Sequence, residues 1–504
     1  MAATKENASQ PGGWAPRLAQ EARLRQLDGE LAHPSGGEAR LLAEIERASL
    51  LGALDRGVEA RETFIAILQR HPTHFTALNE FGTLLAGQGA IDAACRVYGE
   101  AILHHPDKAM AHVNLANLLL RANRHSEARA HYETALKADP DHVGAHQGLG
   151  AVLADVGDRE GAQAHFRKGF RSQAISTLPY RGSVAPIPIL QLVSSGGGNI
   201  PTSPFLDDRV FLTTVAVADH LDLAVRLPPH AVIFNAIGDA DLCVPALEAA
   251  MRLIAQSKAP VINNPRAVMK TGRIDNAARL AALPGVVTPK TLRVPRSALA
   301  RPEGTAWIGA CGLVFPLLLR SPGYHTGRNF VLVQGSTDLA EAASALPGDD
   351  LLVIEYLDAR GADGNARKYR VMMIDGKMFP LHLAISGNWK VHYFTSAMAE
   401  NPDHRNEEMA FLRDMPAVLG AKAVTALGAI CDTLGLDYAG VDFAVNSSGD
   451  LLLFEANATM VIADPGSDPR WAYRRESISA VIDAVVAMIR SKAAGALKTS
   501  RRPR

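Results

Sequence analysis

The residues whose types and spacing best indicate a chemical site in this chain are two carboxylates and a carboxamide. They are Asp442, Glu455 and Asn457. They lie in two apolar runs, 438–445 and 450–457, separated by a four-residue polar turn, a pattern typical of a β-hairpin. Buried carboxylates are costly unless a cation compensates their charge. Because oxygen ligands of this kind suit Mg²⁺ rather than zinc, the residues predict the floor of a magnesium-nucleotide site.

The register of this hairpin decides which side chains share a face. If Val445 pairs with Asp450, Asp442 lies opposite Leu453. Side chains alternate between the two faces of a strand, so the other two predicted ligands then share the face of Asp442. The alternative is a set of surface polar residues on an exposed hairpin, and the strongly apolar flanking runs argue against it.

Composition limits the class of protein. A chain of 504 residues is too long for one domain, and three or four domains are expected. With 52 basic and 52 acidic residues the net charge is zero, which favours neither nucleic acid nor a membrane surface. The cysteines Cys95, Cys243, Cys311 and Cys431 are widely spaced, as expected in a reducing compartment. We find no signal-peptide pattern and no apolar run of 18 residues, so the prediction is a cytoplasmic protein.

The N-terminal third has an internal repeat of 34 residues. An alanine, an aromatic residue, a proline and a small residue recur in phase: Ala60, Ala94, Ala128 and Ala162; Phe64, Tyr98, Tyr132 and Phe166; Pro72, Pro106 and Pro140; Gly82, Ala116 and Gly150. Small residues let two helices approach, the aromatic fills the gap between them, and the proline ends the second helix. The pattern resembles the tetratricopeptide repeat, with four units in residues 43–175. An ordinary helical bundle would not keep this phase.

A helical solenoid of this kind offers a concave groove for a peptide or protein partner. Asn79, Asn114 and Asn117 fall on the first helices of their units, and both solvent exposure and peptide contact remain open for them. A further alternative is that the repeats only dimerise the chain, so a homo-oligomer also stays open. Residues 1–42 are predicted to be a flexible segment with one amphipathic helix over 18–31.

After the repeats the pattern changes to short strands. Prolines and glycines predict a linker at 176–186. A strand, a helix and a strand then follow between residues 231 and 263, which predicts a βαβ unit. The glycine run Gly196 to Gly198 either cradles a phosphate or is a plain loop, since it lacks the spacing of a dinucleotide-binding motif.

Several segments in a fixed order carry a resemblance to a known family. An Asn-Pro segment at 263–275 precedes Pro-Gly-Val-Val-Thr-Pro-Lys at 284–290, and strands at 314–320 and 329–333 enclose a glycine-bearing loop. This order resembles the ATP-grasp ligases, especially the glutathione-synthetase and ribosomal-protein glutamate-ligase branch. The resemblance implies an α/β pre-ATP-grasp domain at 187–290 and an α+β ATP-grasp domain at 291–495, followed by a basic disordered tail at 496–504.

The resemblance also implies a phosphate-binding loop. Ser321, Gly323 and Gly327 belong to the loop that would fold over the triphosphate, where glycines let backbone N–H groups come close. Arg320 stands where these ligases usually have lysine, which keeps the charge but replaces a point charge with a planar fork. Arg273 occupies the place of an earlier basic nucleotide contact, and its alternative is a solvated helix residue.

The adenine site of the resembled ligases lies on a hinge strand, which here corresponds to residues 351–358. Glu355, Tyr356 and Leu357 would contact the adenine there. An acidic residue at a strand end is common, but its position after the glycine loop supports this role.

The resemblance implies two further residues at the reacting groups. Arg370 matches the arginine that holds the transferring phosphoryl group, whereas Lys368 replaces the usual acid two residues earlier. Lys390 falls where a second basic residue contacts the acceptor. His382 and His392 are candidates for polar contacts, although a hydrogen-bonded core histidine is the commoner outcome.

By resemblance, the chain is an ATP-dependent ligase that joins a small-molecule or peptide carboxylate to an amine through an acyl-phosphate. ATP and two Mg²⁺ ions, with Mn²⁺ as an alternative, would bind between Asp442, Glu455 and Asn457, with Glu455 bridging the ions. The alternative function is a scaffold protein with a nucleotide-binding but catalytically weak ATP-grasp module. Arg320 and Lys368, which both depart from the usual pattern, motivate that alternative.

Overall fold

The computed structural model describes residues 15–33, 36–222, 224–301, 303–323, 327–391 and 396–500. The chain divides into two compact units. One holds Met1–Pro188 with Asp208–Leu221, and the other holds Ile189–Asp207 with Asp222–Arg504. The predicted fold class, an all-helical repeat region followed by an α/β region, is confirmed.

The first unit consists mainly of helices in antiparallel pairs. They are α1 Ala15–Ala32, α2 Glu38–Ala53, α3 Gly57–Arg70, α4 Phe75–Gly87, α5 Ile91–His104, α6 Ala109–Arg121, α7 His125–Ala138, α8 Val143–Asp155 and α9 Arg159–Phe170. The pairs α2/α3, α4/α5, α6/α7 and α8/α9 are the four predicted repeats. The helix predicted over 18–31 is α1.

The repeat signature acts through close helix packing. The in-phase alanines and aromatics are buried, and in three of the units the aromatic ring packs where a glycine leaves room. A Cβ atom at Gly82 would lie 2.6 Å from the ring of Tyr98, and one at Gly150 would lie 2.6 Å from the ring of Phe166. Because the ring leaves little space at these two crossings, the small residue and the aromatic recur together, and Ala116 takes the equivalent place in the unit between them.

Asn79, Asn114 and Asn117, on the first helices of their repeat units, make hydrogen bonds inside the solenoid. Asn79 is 3% exposed, and its Oδ1 accepts from Asn114 Nδ2 at 2.9 Å. Asn117 Oδ1 accepts from the hydroxyl of Tyr132 at 2.6 Å. Their main role in the structure is therefore to join neighbouring helices.

The predicted boundaries after the repeats differ from those in the structure. Strand β1, Ile175–Thr177, pairs antiparallel with β3, Phe211–Val217, so the linker predicted at 176–186 begins within a strand. The segment Asp208–Leu221 groups with the repeats rather than with the predicted domain 187–290. The remaining domain boundaries stay predictions.

The second unit is built on three sheets. Its strands are β2 Ile187–Val193, β4 Val232–Asn235, β5 Val261–Ile262, β6 Val286–Val287, β7 Thr291–Pro295, β8 Leu317–Arg320, β9 Phe330–Val333, β10 Asp350–Glu355, β11 Ala366–Ile374, β12 Lys377–Ser386, β13 Tyr438–Val445 and β14 Leu451–Asn457. Strands β2, β4 and β5 pair in parallel. An antiparallel sheet has the order β7-β10-β8-β9, and a five-stranded sheet has the order β12-β11-β13-β14-β6.

Helices cover these sheets. They are α10 Val244–Ile254, α11 Pro265–Val268, α12 Arg273–Leu280, α13 Arg296–Leu299, α14 Gly304–Ala310, α15 Leu339–Ala345, α16 Pro402–Arg413, α17 Met415–Leu434 and α18 Arg475–Ser500. The parallel strands β4 and β5 with α10 between them form the predicted βαβ unit. Helix α18 runs to Ser500, so residues 496–500 of the predicted disordered tail are helical, and residues 501–504 lie outside the described residues.

One described helix, α17, is long and apolar enough to cross a bilayer when judged only by length and composition. Gly420 interrupts its helical backbone with a φ of 80°. Eight of its side chains are buried in the core of the second unit: Met415, Leu419, Ala423, Ala426, Leu427, Ile430, Cys431 and Leu434. These contacts are those of a core helix, and the absence of a membrane partner stays a prediction.

Candidate active site

The predicted hairpin forms, but in a different register. Val445 pairs with Leu451 rather than with Asp450, so the turn is one residue longer than predicted. A β-bulge at Phe454 then shifts the pairing again, and Asp442 lies opposite Glu455 rather than Leu453. Without the bulge, Glu455 would point to the other face. The shared face of the two carboxylates, which the sequence analysis predicted, therefore depends on a feature that it missed.

Polar side chains form a row across four neighbouring strands. His382 of β12 pairs with Arg370 of β11, Arg370 with Asp442 of β13, and Asp442 with Glu455 of β14. Directly paired residues point to the same face of a sheet, so these four side chains lie side by side. The row forms one wall of a cavity.

Two cations hold Asp442. Arg370 Nε and Nη2 donate to its two carboxylate oxygens at 2.6 and 2.9 Å, and Lys368 Nζ lies 3.1 Å from Oδ2. The Asp442 side chain is 4% exposed. Burial alone would raise the pKa of this carboxyl, but Arg370 and Lys368 together hold it well below its usual range.

Glu455 has a different environment. Arg273 Nη2 donates to its Oε1 at 2.6 Å, and Asn457 Nδ2 donates to the same oxygen at 2.8 Å. The Glu455 side chain is 25% exposed, far more than that of Asp442. Asn457 Oδ1 accepts from the backbone N–H and the hydroxyl of Thr459, both at 2.9 Å. The carboxylate of Glu455 is thus accessible, whereas the amide oxygen of Asn457 is engaged.

These side chains line a cavity of about 630 Å³ in the second unit. Ten of the thirteen predicted site residues lie on its wall: Arg273, Arg320, Gly327, Glu355, Tyr356, Leu357, Arg370, Lys390, Asp442 and Glu455. Its lining residues in the described part of the chain include five cations, which are Arg273, Arg320, Lys368, Arg370 and Lys390, and three carboxylates, which are Glu355, Asp442 and Glu455. The excess of positive charge favours an anionic ligand.

Of the two arginines predicted to bind the nucleotide, Arg273 and Arg320, Arg320 is the more deeply buried. It is 8% exposed, and burial, assisted by the positive charge of Arg273, lowers its pKa to about 10. Its guanidinium also lies over the ring of Phe330, 5.4 Å from the centroid. A buried guanidinium next to another cation is strained electrostatically, and a bound phosphate would relieve that strain.

Three predicted site residues do not line this cavity. Ser321 donates its hydroxyl to the carbonyl of Pro347 at 2.7 Å and is 1% exposed, so it holds the loop to the body of the unit. Gly323 has a φ of 81°, a backbone conformation that favours glycine. Asn457 borders a smaller adjoining cavity that shares Arg273 and Glu455 with the main one.

The predicted hinge lies at the end of β10. The Glu355 carboxylate accepts from the backbone N–H of Lys290 at 3.0 Å, and its own N–H donates to the Lys290 carbonyl at 2.9 Å. Tyr356 and Leu357 follow the strand and reach the cavity beside Glu355. Leu318 and Phe454 also line the cavity and give it the apolar walls that a flat heterocycle requires.

Lys390 closes the cavity against the glycine loop, because its ammonium donates to the carbonyl of Gly327. His382 is fully buried, and desolvation with the nearby charge of Arg370 holds its pKa well below the usual range, so it is neutral. His392, the other histidine considered, lies outside the described residues, as do residues 324–326 of the glycine loop.

The sequence analysis missed several residues of this site. In the sequence Lys368 is only a departure from the resembled pattern, whereas in the structure its ammonium lies on the carboxylate of Asp442. Phe330, Trp389 and Met460 line the cavity and carried no local motif that marked them. Gly198 also lines it, at a φ of 66°, so the glycine run lies beside the site, and both alternatives for it stay open.

The predicted metal ligands fit one divalent cation better than two. Their oxygen atoms suit Mg²⁺, and Glu455 is accessible from the cavity. Asp442 is enclosed by two cations, so it does not fit as a ligand in this arrangement. Among the described residues, no group of three or more His, Cys, Asp or Glu side chains is placed to hold a metal.

Comparison with known proteins covers both parts of the chain. Residues 79–143 and 113–175 match the family model for the tetratricopeptide repeat. MamA 41-end from Desulfovibrio magneticus RS-1 is similar to 32% of this chain over 90% of its own length, with 23% identity and a TM-score of 0.27. Sequence comparison with curated proteins found no match.

Two solved ligase structures are similar to a larger part of the chain. The D-alanine-D-alanine ligase from Coxiella burnetii aligns over 62% of this chain and 98% of its own, with 12% identity and a TM-score of 0.39. VanG D-Ala:D-Ser ligase from Enterococcus faecalis aligns over 60% and 99%, with 14% identity and a TM-score of 0.38.

Proposed function

We propose that the chain is an ATP-dependent carboxylate–amine ligase of the ATP-grasp type whose helical repeats bind a peptide or protein partner. One observation carries the proposal: a single cavity combines an apolar slot at a hinge strand with five cations and an accessible carboxylate, Glu455. The slot suits an adenine, and the cations suit a triphosphate together with a substrate carboxylate.

The residues that would act on the nucleotide are the cations of the cavity wall. Arg320 and Arg273 would neutralise the phosphates, and Arg370, fixed by Asp442, would face the transferring phosphoryl group. A divalent cation at Glu455 would neutralise further phosphate charge when bound. The protein therefore acts mainly by positioning and charge compensation.

The reaction balances without a protein nucleophile. A substrate carboxylate oxygen attacks the γ-phosphorus and ADP leaves, which gives an acyl-phosphate. The amine then attacks the acyl carbon, phosphate leaves with that oxygen, and the amine gives up a proton as the amide forms. Lys390, at the edge of the cavity, would hold the acceptor in place.

The direct test is ATP-dependent ADP release with carboxylate and amine pairs, together with a mass-spectrometric search for ATP-dependent mass gain on co-purifying peptides. Glu455→Ala should abolish the ADP release, whereas Glu341→Gln, which changes an exposed carboxylate of α15, should not. Binding of ATP without turnover on any pair would contradict the ligase proposal.

Such an outcome would instead support the second candidate, a scaffold protein that binds nucleotide. Lys368 is the observation in its favour, because it lies in the cavity and neutralises a predicted metal ligand. Arg320→Lys would separate the two: higher turnover in this variant would mark a degenerate ligase. For both candidates the cytoplasmic location stays a prediction.

The role of the repeats needs a separate experiment. If they bind a partner, deletion of residues 1–175 should remove the co-purifying peptides. The measured mass of the shortened protein in solution should then be that of one chain. A fall from dimer to monomer on deletion would show that they dimerise the enzyme.

A further inference from the structure

Lys368 is the residue of the cavity that the proposed function leaves unused. It lies on β11 two residues before Arg370, so both side chains point to the same face of the sheet. Its ammonium lies 3.1 Å from Asp442 Oδ2, and its side chain is 16% exposed at the cavity wall. Lys368 thus places a covalently attached positive charge on Asp442, the carboxylate that was predicted to bind a metal ion.

The two carboxylates of the row are neutralised unequally. Asp442 is held by two cations for one negative charge and is 4% exposed, whereas Glu455 accepts a hydrogen bond from Arg273 and is 25% exposed. A divalent cation at Asp442 would have to approach two positive charges and displace a bidentate arginine. At Glu455 it would meet a carboxylate that is 25% exposed at the cavity wall.

Arg273 differs from Arg370 in how it is held. It makes one hydrogen bond to Glu455, it is 22% exposed, and it lines the cavity. It can therefore turn to a phosphate oxygen while an ion binds the freed Glu455. Arg370 has both its bonds to Asp442 on a neighbouring strand and lacks this freedom.

We propose that the Lys368 ammonium takes the place of a second metal ion, so that the site binds one divalent cation per nucleotide, at Glu455. This inference rests on the proposed nucleotide-binding function. Lys368 and Asp442 together would then present a fixed positive charge to the phosphates, and Asp442 acts as a positioning residue for Arg370 and Lys368.

The test counts Mn²⁺ ions bound to the full-length protein with β,γ-imido-ATP, which is not hydrolysed. Equilibrium dialysis should give one Mn²⁺ per bound nucleotide in the wild type. Electron paramagnetic resonance should show an isolated Mn²⁺ spectrum, because two ions about 3.5–4 Å apart would broaden each other.

Two variants should create the second site. Lys368→Glu supplies a carboxylate in place of the ammonium, and Lys368→Met only removes the charge. We expect the stoichiometry to rise from one to two in Lys368→Glu, with a coupled spectrum, and the affinity for a second ion to rise in Lys368→Met. Lys390→Met, which removes another cation of the same cavity, should leave the stoichiometry at one.

Two ions per nucleotide in the wild type, or one in both Lys368 variants, would overturn the inference and leave the ligase proposal standing. A chain that binds no nucleotide would overturn both. Circular dichroism of each variant establishes that a lost signal does not come from unfolding.

Discussion

Replacement of Arg320 by glutamine should stabilise the protein without nucleotide and abolish its response to nucleotide. Burial and the charge of Arg273 lower the pKa of Arg320 from its ordinary value to about 10. At about 1.4 kcal/mol for each factor of ten, this corresponds to roughly 3 kcal/mol against the charged form in the folded state. Because the folded pKa is the lower one, this cost is fully present below pH 10 and is lost progressively as the pH rises from there towards the ordinary pKa of arginine.

Other contacts of Arg320 reduce the expected gain. Its guanidinium lies over Phe330, a contact worth about 0.5–1 kcal/mol that the substitution removes, and the buried amide of the new glutamine carries a desolvation cost of its own. We therefore expect Arg320→Gln to gain about 1–2 kcal/mol without nucleotide, which is a rise of a few degrees in Tm. Nucleotide at a hundred times its Kd should add about 2.7 kcal/mol to the wild type and almost nothing to the variant.

Tryptophan fluorescence is suited to this measurement. Of the four tryptophans, Trp307, Trp389 and Trp471 belong to the second unit and Trp14 precedes the repeats at 43–175, so a fluorescence melt reports mainly on the unit that holds the cavity. Arg320→Lys is the matched control, because it keeps the charge and should keep the nucleotide response. A variant Arg320→Gln that melts below the wild type, or one that nucleotide still stabilises fully, would refute the electrostatic argument.

Three further predictions concern stability. Gly148→Ala should lower the free energy of unfolding by about 1–3 kcal/mol, since a Cβ there would overlap an aromatic ring. Gly99→Ala is the control: no atom lies within 4 Å of the added Cβ, so this variant should gain up to about 1 kcal/mol. Thermal melts followed by circular dichroism compare the two variants. Asn263→Ala should lose about 1–3 kcal/mol in urea unfolding, because its buried amide bonds both the N–H and the carbonyl of a strand residue at 2.8 Å. Burial and a neighbouring histidine lower the pKa of His131 and of His165 below 6.5, so the unfolded chain takes up protons first and the repeats should weaken as the pH falls below that value. Hydrogen exchange in residues 109–170 should show this loss in the wild type and not in a variant with leucine at both positions.

The features predictable from sequence are those with a short or fixed period. The 34-residue recurrence of Ala60, Phe64 and their equivalents identifies four helix pairs, because each unit must bury the same face against the next. The alternation in 438–445 and 450–457 identifies a hairpin for the same kind of reason. Both signals are local, and both needed no knowledge of what else packs nearby.

The charge partners in the site are not local, and the sequence analysis did not find them. Arg370 and Asp442 are 72 residues apart, and Arg273 and Glu455 are 182 apart, so no window contains either pair. The bulge at Phe454 also has no strong signal in an apolar run, although it alone keeps Asp442 and Glu455 on one face. Sequence could name the ionisable residues, but only the fold shows which charges neutralise which.

Arg320 and Lys368 both depart from the resembled pattern. The charge that each one brings to the cavity decides whether the site has lost its activity or works with a single metal ion. Arg320 keeps the positive charge of the usual lysine. Lys368 replaces an acid, which changes the local charge from −1 to +1, a difference equal to the charge of one divalent cation. A site that had simply lost its function would have no reason to place that charge 3.1 Å from a predicted metal ligand. The same substitution that raises doubt about a two-ion ligase therefore supports a one-ion site in which the protein supplies the missing charge.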